Sequence, residues 1–168
     1  MRSDEPSVRR LRHVDLPDLR AGFNRGAIAE TTRYVLPLSA EAERQRMRAG
    51  GTYRFAIRSG DTLVGISTLR PPLYSGMELT IGIFDARYQG RGIGTYTVRK
   101  TCDFGFRRLR LSRIELGVYP CNTRAHSCYR RCGFKEEALL RDFLYNGGVF
   151  CDVIWMSLLR SEWEASQD

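Results

Sequence analysis

The sequence predicts an α/β fold whose central sheet is mixed and mostly antiparallel, with helices flanking it. Three observations support this fold class. Short apolar segments with strand-like alternation dominate the part of the chain before residue 85. A glycine-rich loop then opens a segment with helical spacing of its apolar residues. Two further strand-like segments close the chain, joined by Asn146-Gly147-Gly148, a sequence typical of a tight hairpin turn.

The first part of the chain predicts a strand, two helices and a strand pair. Residues 8–13 are expected to be a strand, followed by a helix capped at Asp15. A second helix is expected over residues 39–48, because Ser39 is a favourable cap and Gly50-Gly51 ends the segment. Residues 53–57 and 62–69 are expected to pair as antiparallel strands around a turn at residues 59–61.

The second part predicts strands alternating with helices. Residues 78–84 are expected to be a strand, followed by the glycine-rich loop and a helix over residues 95–109. A strand over residues 113–119 stops at Pro120, and a helix from Asn122 or Thr123 ends at Gly133. The remaining predicted elements are the two strands of the terminal hairpin, residues 134–145 and 149–159.

Length and composition indicate the class of protein. The chain has 168 residues, of which 42% are hydrophobic and 27% charged, so we expect one folded domain spanning residues 1–168. No apolar run approaches the roughly 20 residues that cross a bilayer, and no apolar signal segment follows Met1. We therefore expect a cytoplasmic protein with no membrane partner.

The charge of the chain is strongly basic, with a formal net charge of +8. A positive surface attracts anions such as nucleic acid or a phosphorylated cofactor. The arginines are scattered along the sequence, however, and no motif of a nucleic-acid-binding module is present. We therefore expect most of these side chains to be solvated and do not expect a nucleic-acid partner.

The five cysteines are an odd number, which argues against a disulfide framework. Cys121, Cys128 and Cys132, with His126 among them, match no spacing typical of a zinc site. We expect Cys128 and Cys132 to behave as small apolar residues on one helix face, and we expect no metal. A covalent route through Cys128 is not expected either, because His126, two residues away, would not face it on a helix.

The loop from Gln89 to Gly94 carries the strongest indication of chemistry. Three glycines at alternate positions let a ligand approach the backbone, and the free amides and dipole of the following helix favour a phosphate group. The P-loop motif is absent, and the position and context of the glycines fit a dinucleotide fold poorly. An ordinary tight turn remains the structural alternative.

Three motifs in order resemble one protein family. Gln89-x-x-Gly92-x-Gly94 is similar to the pyrophosphate motif of the GNAT N-acetyltransferases. Residues 122–125 and 129–134 resemble the N-x-x-A and Y-x-x-x-G-F segment of that family, and residues 145–159 resemble the ending of its branches that acetylate ribosomal proteins and spermidine. The resemblance implies a GNAT-like fold, acetyl-CoA as the cofactor, and direct transfer of the acetyl group to an amine in a ternary complex.

The resemblance also implies roles for individual residues. Tyr129 corresponds to the general acid that protonates the departing thiolate; without the resemblance, it would be read as an aromatic residue at the edge of the core. Asn122 corresponds to the residue that bonds the pantetheine arm, and it could also serve as a helix cap. The backbone of Ile83, Phe84 and Asp85, at the end of the strand predicted over residues 78–84, would pair with the pantetheine amides, with the Ile83 N–H as an oxyanion donor. The full predicted cofactor-binding set is Ile83, Phe84, Asp85, Gln89, Gly90, Arg91, Gly92, Ile93, Gly94, Thr95, Asn122 and Arg124.

Glu78 is the candidate general base, since several members of the family place a carboxylate at the start of this strand. The alternative is an exposed acid that makes a surface ion pair. Glu30, Glu41 and Glu43 lie in the segment that walls the acceptor site in this family, where they could bind a cationic amine.

The acceptor itself is not specified by the sequence. We expect a small-molecule amine, with the N-terminus of a ribosomal or other protein as the alternative. A non-catalytic module that binds coenzyme A or nucleic acid is the alternative of another class. A homodimer is also possible, through the terminal strand and Trp155 or Trp163.

Overall fold

The structure is a computed structural model that describes residues 5–25, 41, 44–45, 50–71, 76–146 and 148–167. Most of the helix predicted over residues 39–48 lies outside these ranges, and so do Glu30 and Glu43. Glu41 is described: it is exposed, and its carboxylate lies 3.5 Å from Arg44.

The described residues form a seven-stranded sheet flanked by helices, which confirms the predicted α/β fold class. The strands are β1 (Pro6–Arg10), β2 (Tyr53–Ser59), β3 (Thr62–Arg70), β4 (Met77–Ile83), β5 (Arg113–Val118), β6 (Lys135–Asn146) and β7 (Val149–Leu159). The helices are α1 (Leu16–Arg25), α2 (Ile93–Asp103), α3 (Thr123–Arg131) and α4 (Arg160–Ala165). Within the described ranges, no helix is long and apolar enough to cross a membrane.

The order of the strands is β1-β2-β3-β4-β5-β7-β6. Every neighbouring pair is antiparallel except β4 and β5, which are parallel and pair only at Met77 with Ile114 and at Glu78 with Glu115. Beyond this second pair, the rest of β4 and the rest of β5 make no ladder with each other. The sheet therefore opens in its middle, and the backbone groups along the two inner edges are left for another partner.

Apolar residues cover both faces of the sheet. On one face, Leu79, Leu116 and Met156 of the strands pack with Val98 of α2 and Phe106 in one large cluster. On the other face, Leu19 and Phe23 of α1 are fully buried against Ala56, Ile66 and Phe84. Burial of a side chain of this size contributes about 1.5–3 kcal/mol, so each helix is held to the sheet by its apolar face.

The first strand is shorter than predicted, whereas the first helix begins where it was predicted. β1 ends at Arg10, and α1 begins at Leu16, directly after Asp15, whose carboxylate was expected to cap this helix. Asp15 instead lies in a short 3₁₀ turn, where its carboxylate accepts hydrogen bonds from the Arg12 N–H at 2.8 Å and from the Arg9 guanidinium at 2.6 and 2.8 Å. The Asp15 side chain is 3% exposed and that of Arg9 is 32% exposed, so a partly buried ion pair joins β1 to this turn.

The helices of the second half also depart from the prediction. α2 begins at Ile93 rather than at Thr95, and it passes into a π-helical turn, Phe104–Arg108, before it ends. The short C-terminal helix α4 was not predicted. Its Trp163 is 9% exposed and stacks at 5.3 Å on Phe106, so this indole belongs to the core of the chain itself.

Candidate active site

A cleft of about 1030 Å³ opens where β4 and β5 diverge. Its walls come from β3, β4, the loop that follows β4, and helix α3. Of the residues predicted from the sequence, those that line it are Glu78, Ile83, Phe84, Asp85, Gln89, Gly90, Gly92, Gly94, Thr95, Asn122, Arg124 and Tyr129. The structure thus brings the two predicted catalytic residues and most of the predicted cofactor-binding residues to one cavity.

The loop after β4 is fastened by its own polar side chains. Asp85 caps a short 3₁₀ turn, Ala86–Tyr88, by accepting from the Arg87 N–H at 2.8 Å, and it also pairs with the Arg87 guanidinium. The Gln89 side-chain amide donates to the Ile83 carbonyl at 3.2 Å. Gln89 therefore ties the loop back to the end of β4, which holds the following glycines in place.

Gly90 and Gly92 adopt left-handed backbone conformations, with φ of +73° and +80°. A Cβ atom at either residue would meet no protein atom within 4 Å, so each glycine is needed for its backbone angle and leaves open space beside it. Gly92 is the residue before α2, and its carbonyl accepts the first helical hydrogen bond, from Tyr96 at 3.0 Å. The first-turn amides at residues 93–95 lack helical acceptors, so this end of α2 favours an anion.

The end of β4 presents its backbone groups alternately to two sides. The Phe84 N–H donates to the Val64 carbonyl of β3 at 2.9 Å, so it is not available to a ligand. Because successive residues of a strand point to opposite edges, the N–H groups of Ile83 and Ile81 point toward the opening between β4 and β5. The Phe84 ring packs against Phe23 with the ring centroids 4.8 Å apart, and the residue is 7% exposed.

Helix α3 begins at the opposite wall of the cleft. Asn122 caps it, since its side-chain oxygen accepts from the Ala125 N–H at 3.1 Å. The cap occupies one oxygen lone pair and leaves the amide NH₂ of Asn122 as a donor. The predicted double role of Asn122, as a cap and as a ligand contact, is therefore compatible with its geometry. Arg124 is exposed and lines the same wall.

Tyr129 lies in the last turns of α3, where its ring packs at 6.0 Å from the ring of Phe134. The residue is 7% exposed and lines the cleft. Burial, together with the nearby Cys128 and Cys132, raises the pKa of the Tyr129 phenol. The phenol is therefore protonated at neutral pH, as a proton donor must be, although the raised pKa also makes it a weaker acid.

Glu78 lies on the floor of the cleft, at the last pair before β4 and β5 diverge. It is 2% exposed, and Arg70, its cross-strand partner on β3, donates to its Oε2 from Nε at 3.1 Å and from Nη2 at 2.8 Å. A buried carboxylate needs this compensation. The alternative of an exposed strand-end acid therefore does not describe Glu78, because its ion pair lies inside the cleft.

Two residues of the predicted set do not line the cleft with their side chains. Ile93 is 4% exposed and packs with Ile57 and Val64 in the core. Arg91 is exposed and is not among the residues that line the cleft.

Conversely, Arg70 and Cys128 line the cleft but were not predicted to do so. No local motif marks Arg70, since only the β3–β4 register places it beside Glu78.

The ring of His126 pairs with the carboxylate of Glu136 at 2.8 Å. Among the residues that the structure describes, no group of three or more His, Cys, Asp or Glu side chains is arranged to hold a metal ion.

Known proteins resemble this chain in sequence. The family described as "Acetyltransferase (GNAT) domain" matches residues 7–135. The chain is 35% identical over 107 residues to the putative ribosomal N-acetyltransferase YdaF of Bacillus subtilis, and 31% identical over 122 residues to the probable N-acetyltransferase YjcK of the same organism. These matches cover 63% and 70% of this chain, and 58% and 67% of the two relatives. The chain therefore spans less than two thirds of the length of YdaF.

Solved structures share the fold. The spermidine N-acetyltransferase of Vibrio cholerae, solved in complex with CoA and spermine, superimposes with a TM-score of 0.80 at 24% identity, over 95% of this chain and 98% of that one. The ribosomal-protein-S5-alanine acetyltransferase of Vibrio fischeri superimposes with a TM-score of 0.82 at 21% identity, over 94% of each chain.

Proposed function

The chain belongs to the GNAT acetyltransferase family, and from this premise we propose that it moves the acetyl group of acetyl-CoA to a primary amine. The transfer occurs by direct attack of the amine in a ternary complex. The proposal depends chiefly on the opening between β4 and β5. One cavity there is lined by the loop before α2, the buried carboxylate of Glu78 and the buried phenol of Tyr129.

The cofactor would be bound chiefly by backbone groups. The amides of residues 93–95, with the left-handed Gly92 before them, suit a pyrophosphate. The inward-facing N–H groups of Ile81 and Ile83 suit the amide carbonyls of the pantetheine arm, and the Asn122 side chain supplies a donor from the opposite wall. Acetyl-CoA supplies a thioester, whose carbonyl carbon is the electrophile.

The side chains of the cleft suit the two proton transfers that the reaction needs. An amine must lose a proton before it can attack, and the Glu78 carboxylate, held by Arg70, is placed to accept it. The departing thiolate needs a proton, which the Tyr129 phenol retains at neutral pH and can donate. The Ile83 N–H is the proposed donor to the oxyanion.

The proposed acceptor is a small-molecule amine. The charge of the cleft does not by itself select a cationic acceptor. Five arginines line it, against two acidic residues, and the carboxylate of Glu78 on its floor is paired with Arg70. The choice of acceptor therefore depends on the relatives of the chain and on the one buried carboxylate that could accept a proton from an amine. The fold-level likeness to a spermidine N-acetyltransferase agrees with this choice of acceptor.

A protein N-terminus is the second candidate acceptor. It is supported by the 35% identity to the putative ribosomal N-acetyltransferase YdaF and by the 41% identity over 96 residues to the N-alpha-acetyltransferase RimI of Mycobacterium tuberculosis.

The acceptor is tested by incubating the purified chain and acetyl-CoA with polyamines, amino sugars, amino acids and short peptides that have free N-termini. Products should be detected by mass, because thiol reagents would also react with the cysteines of the chain. Acetylation of small amines well above the rate of the peptides is the expected result. Faster acetylation of the peptides would establish the second candidate. Binding of acetyl-CoA without any acetylated product would favour a non-catalytic module instead.

A further inference from the structure

Thr68 of β3 has a buried hydroxyl group beside the proposed base. The residue is 3% exposed and lines the cleft. Among the residues that the structure describes, none forms a hydrogen bond with its Oγ1 atom. A buried hydroxyl without a partner costs free energy, so native proteins seldom retain one without a reason. A polar group of a molecule bound in the cleft would supply the missing hydrogen bond.

Arg70 lies two residues after Thr68 on β3, so the two side chains share one face of the sheet. The Arg70 guanidinium donates to Glu78 through Nε and Nη2. Its Nη1 group makes no hydrogen bond with any described residue, and the side chain is 39% exposed. The floor of the cleft therefore offers two donors to a bound molecule, the Thr68 hydroxyl and the Arg70 Nη1 group.

The register of β3 and β4 places both donors close to the carboxylate of Glu78. Arg70 pairs directly with Glu78, and Thr68 pairs with Thr80, so Thr68 and Glu78 are diagonal neighbours across the two strands. Such neighbours are about 7–8 Å apart, which is a distance that a small molecule spans. One acceptor can therefore place its amine at Glu78 and a second polar group at Thr68 and Arg70.

The charges at this place favour a carboxylate as the second group. Arg70 and Glu78 form an ion pair, and a zwitterion that lies antiparallel to an ion pair sets each of its charges against the opposite charge. The ammonium group of the acceptor then meets Glu78, and its carboxylate accepts hydrogen bonds from Arg70 and Thr68. A second ammonium group would find no acceptor on Arg70, because a guanidinium has only donors.

The positive charge of the cleft is not confined to the walls proposed to hold the cofactor. Of the five arginines that line the cleft, three belong to the loop after β4 or to α3, where they suit the phosphates of coenzyme A. The other two are Arg70 and Arg54, and Arg54 is the cross-strand partner of Thr68 on β2. The strands near Glu78 therefore have basic residues of their own, which suits an acceptor with an anionic group.

We propose that the acceptor is an α-amino acid, bound with its carboxylate at Thr68 and Arg70 and its amine at Glu78. The inference rests on the proposed acetyl transfer and narrows its acceptor to an amine with a carboxylate on the adjacent carbon.

The reaction converts the amino acid and acetyl-CoA to an N-acetyl amino acid, coenzyme A and one released proton. The ammonium group gives one proton to Glu78, and the neutral amine attacks the carbonyl carbon of the thioester. A C–N bond forms and the C–S bond breaks. The departing thiolate takes a proton from Tyr129, and the second proton that the nitrogen loses balances the one that Tyr129 supplies.

The first test screens the twenty amino acids, their decarboxylated amines and spermidine with acetyl-CoA, with detection of products by mass. The best amino acid is then compared with its own amide and its own decarboxylated amine, which keep the side chain and lack the carboxylate. Its kcat/KM should exceed that of both analogues by about tenfold or more, because each of them loses the charge-assisted hydrogen bonds.

The outcomes separate this inference from the function on which it rests. Equal or faster acetylation of the amide, the decarboxylated amine or spermidine would overturn the inference and leave acetyl transfer intact. No product from any of these amines would overturn both.

The variant Thr68→Val tests the hydroxyl itself, since valine keeps the branched shape of threonine. It should raise the KM for the amino acid by about tenfold and reduce the preference for the amino acid over its decarboxylated amine. Thr97→Val is the matched control, because Thr97 is a fully buried threonine of α2 whose hydroxyl also lacks a partner among the described residues, and it does not line the cleft.

The control variant should keep the wild-type preference, and thermal unfolding should show that both variants fold. If Thr68→Val kept the wild-type preference as well, the carboxylate would not bind at Thr68 and the inference would be wrong.

Discussion

Arg70 donates two hydrogen bonds to a single oxygen of the Glu78 carboxylate, from Nε at 3.1 Å and from Nη2 at 2.8 Å. The two residues are cross-strand partners in β3 and β4. The ion pair offsets the cost of burying this carboxylate at the floor of the cleft, where it would meet the amine of the acceptor. The arrangement supports the proposed role of Glu78 as the general base.

We expect Glu78→Gln to lower turnover by about 10²-fold, which is the usual contribution of a positioned base. The substituted amide can still accept a hydrogen bond from Arg70, so the affinity for acetyl-CoA should change little. The matched control is Glu115→Gln, the same substitution in the paired residue of β5, whose side chain is outside the cleft lining. Steady-state kinetics and binding assays measure both effects. Equal loss of turnover in the two variants would mean that Glu78 supports the fold and takes no part in the proton transfer.

We expect Tyr129→Phe to lower turnover by about 10²-fold while acetyl-CoA affinity is preserved. Phenylalanine keeps the ring that packs on Phe134 and removes only the proton donor. Tyr145→Phe, at a tyrosine that is 67% exposed on the β6–β7 hairpin, is the control. If Tyr129→Phe turned over at the wild-type rate, the phenol would have no part in the chemistry.

We expect Gly92→Ala to weaken acetyl-CoA binding by about tenfold, because a side chain at φ +80° costs about 1–2 kcal/mol and shifts the first-turn amides of α2. Gly148→Ala introduces the same strain at φ +92° in the turn between β6 and β7, and its Cβ also meets no atom within 4 Å. Thermal unfolding should show a similar loss of stability in both variants, and calorimetry should show a loss of affinity only for Gly92→Ala. If the two variants bound acetyl-CoA with equal affinity, the loop that contains Gly92 would have no part in binding the cofactor.

The Arg9–Asp15 pair predicts an acid-dependent contribution to stability. Hydrogen bonds from Arg9 hold the pKa of Asp15 below its usual value. Because the folded pKa is lower than the unfolded pKa of about 3.9, the contribution is complete above that pH and is lost as the pH falls through the folded value.

Urea unfolding from about pH 6 down to about pH 2.5 should therefore show a smaller acid dependence in Asp15→Asn than in the wild-type chain. At neutral pH the variant should lose about 1–3 kcal/mol of unfolding free energy, the cost of removing charge-assisted hydrogen bonds from a partly buried pair. If the free energy of unfolding depended on pH identically in the two chains, the ionisation of Asp15 would have no effect on the stability of the fold.

Much of the fold follows from local patterns in the sequence. Strand-like alternation located β2, β3 and β4, and turn residues located the β6–β7 hairpin. The glycines of the loop after β4 were predicted from their spacing, and two of them adopt the left-handed conformations that only glycine adopts readily. The helix cap at Asn122 could likewise be predicted from the sequence, because a cap bonds within the first turn of its own helix.

Other features depend on contacts between distant segments. Arg70 meets Glu78 only through the register of β3 and β4, which no spacing in the sequence specifies. Cys128 was interpreted as a small apolar residue, because its polar partner, Thr95, lies 33 positions earlier on another helix. Helix α4 has six residues, too few for a helical period to be recognised, and the burial of Trp163 against Phe106 stabilises it.

The central proposal, that the cleft binds acetyl-CoA, is tested most directly by a calorimetric titration of the purified chain with acetyl-CoA at low and at moderate salt. We expect saturable binding of one molecule per chain, with an affinity that changes little with salt, because most of the proposed contacts are made by backbone amides rather than by charged side chains. Absence of binding, or an affinity that falls steeply with salt as in binding to scattered arginines, would contradict the proposal.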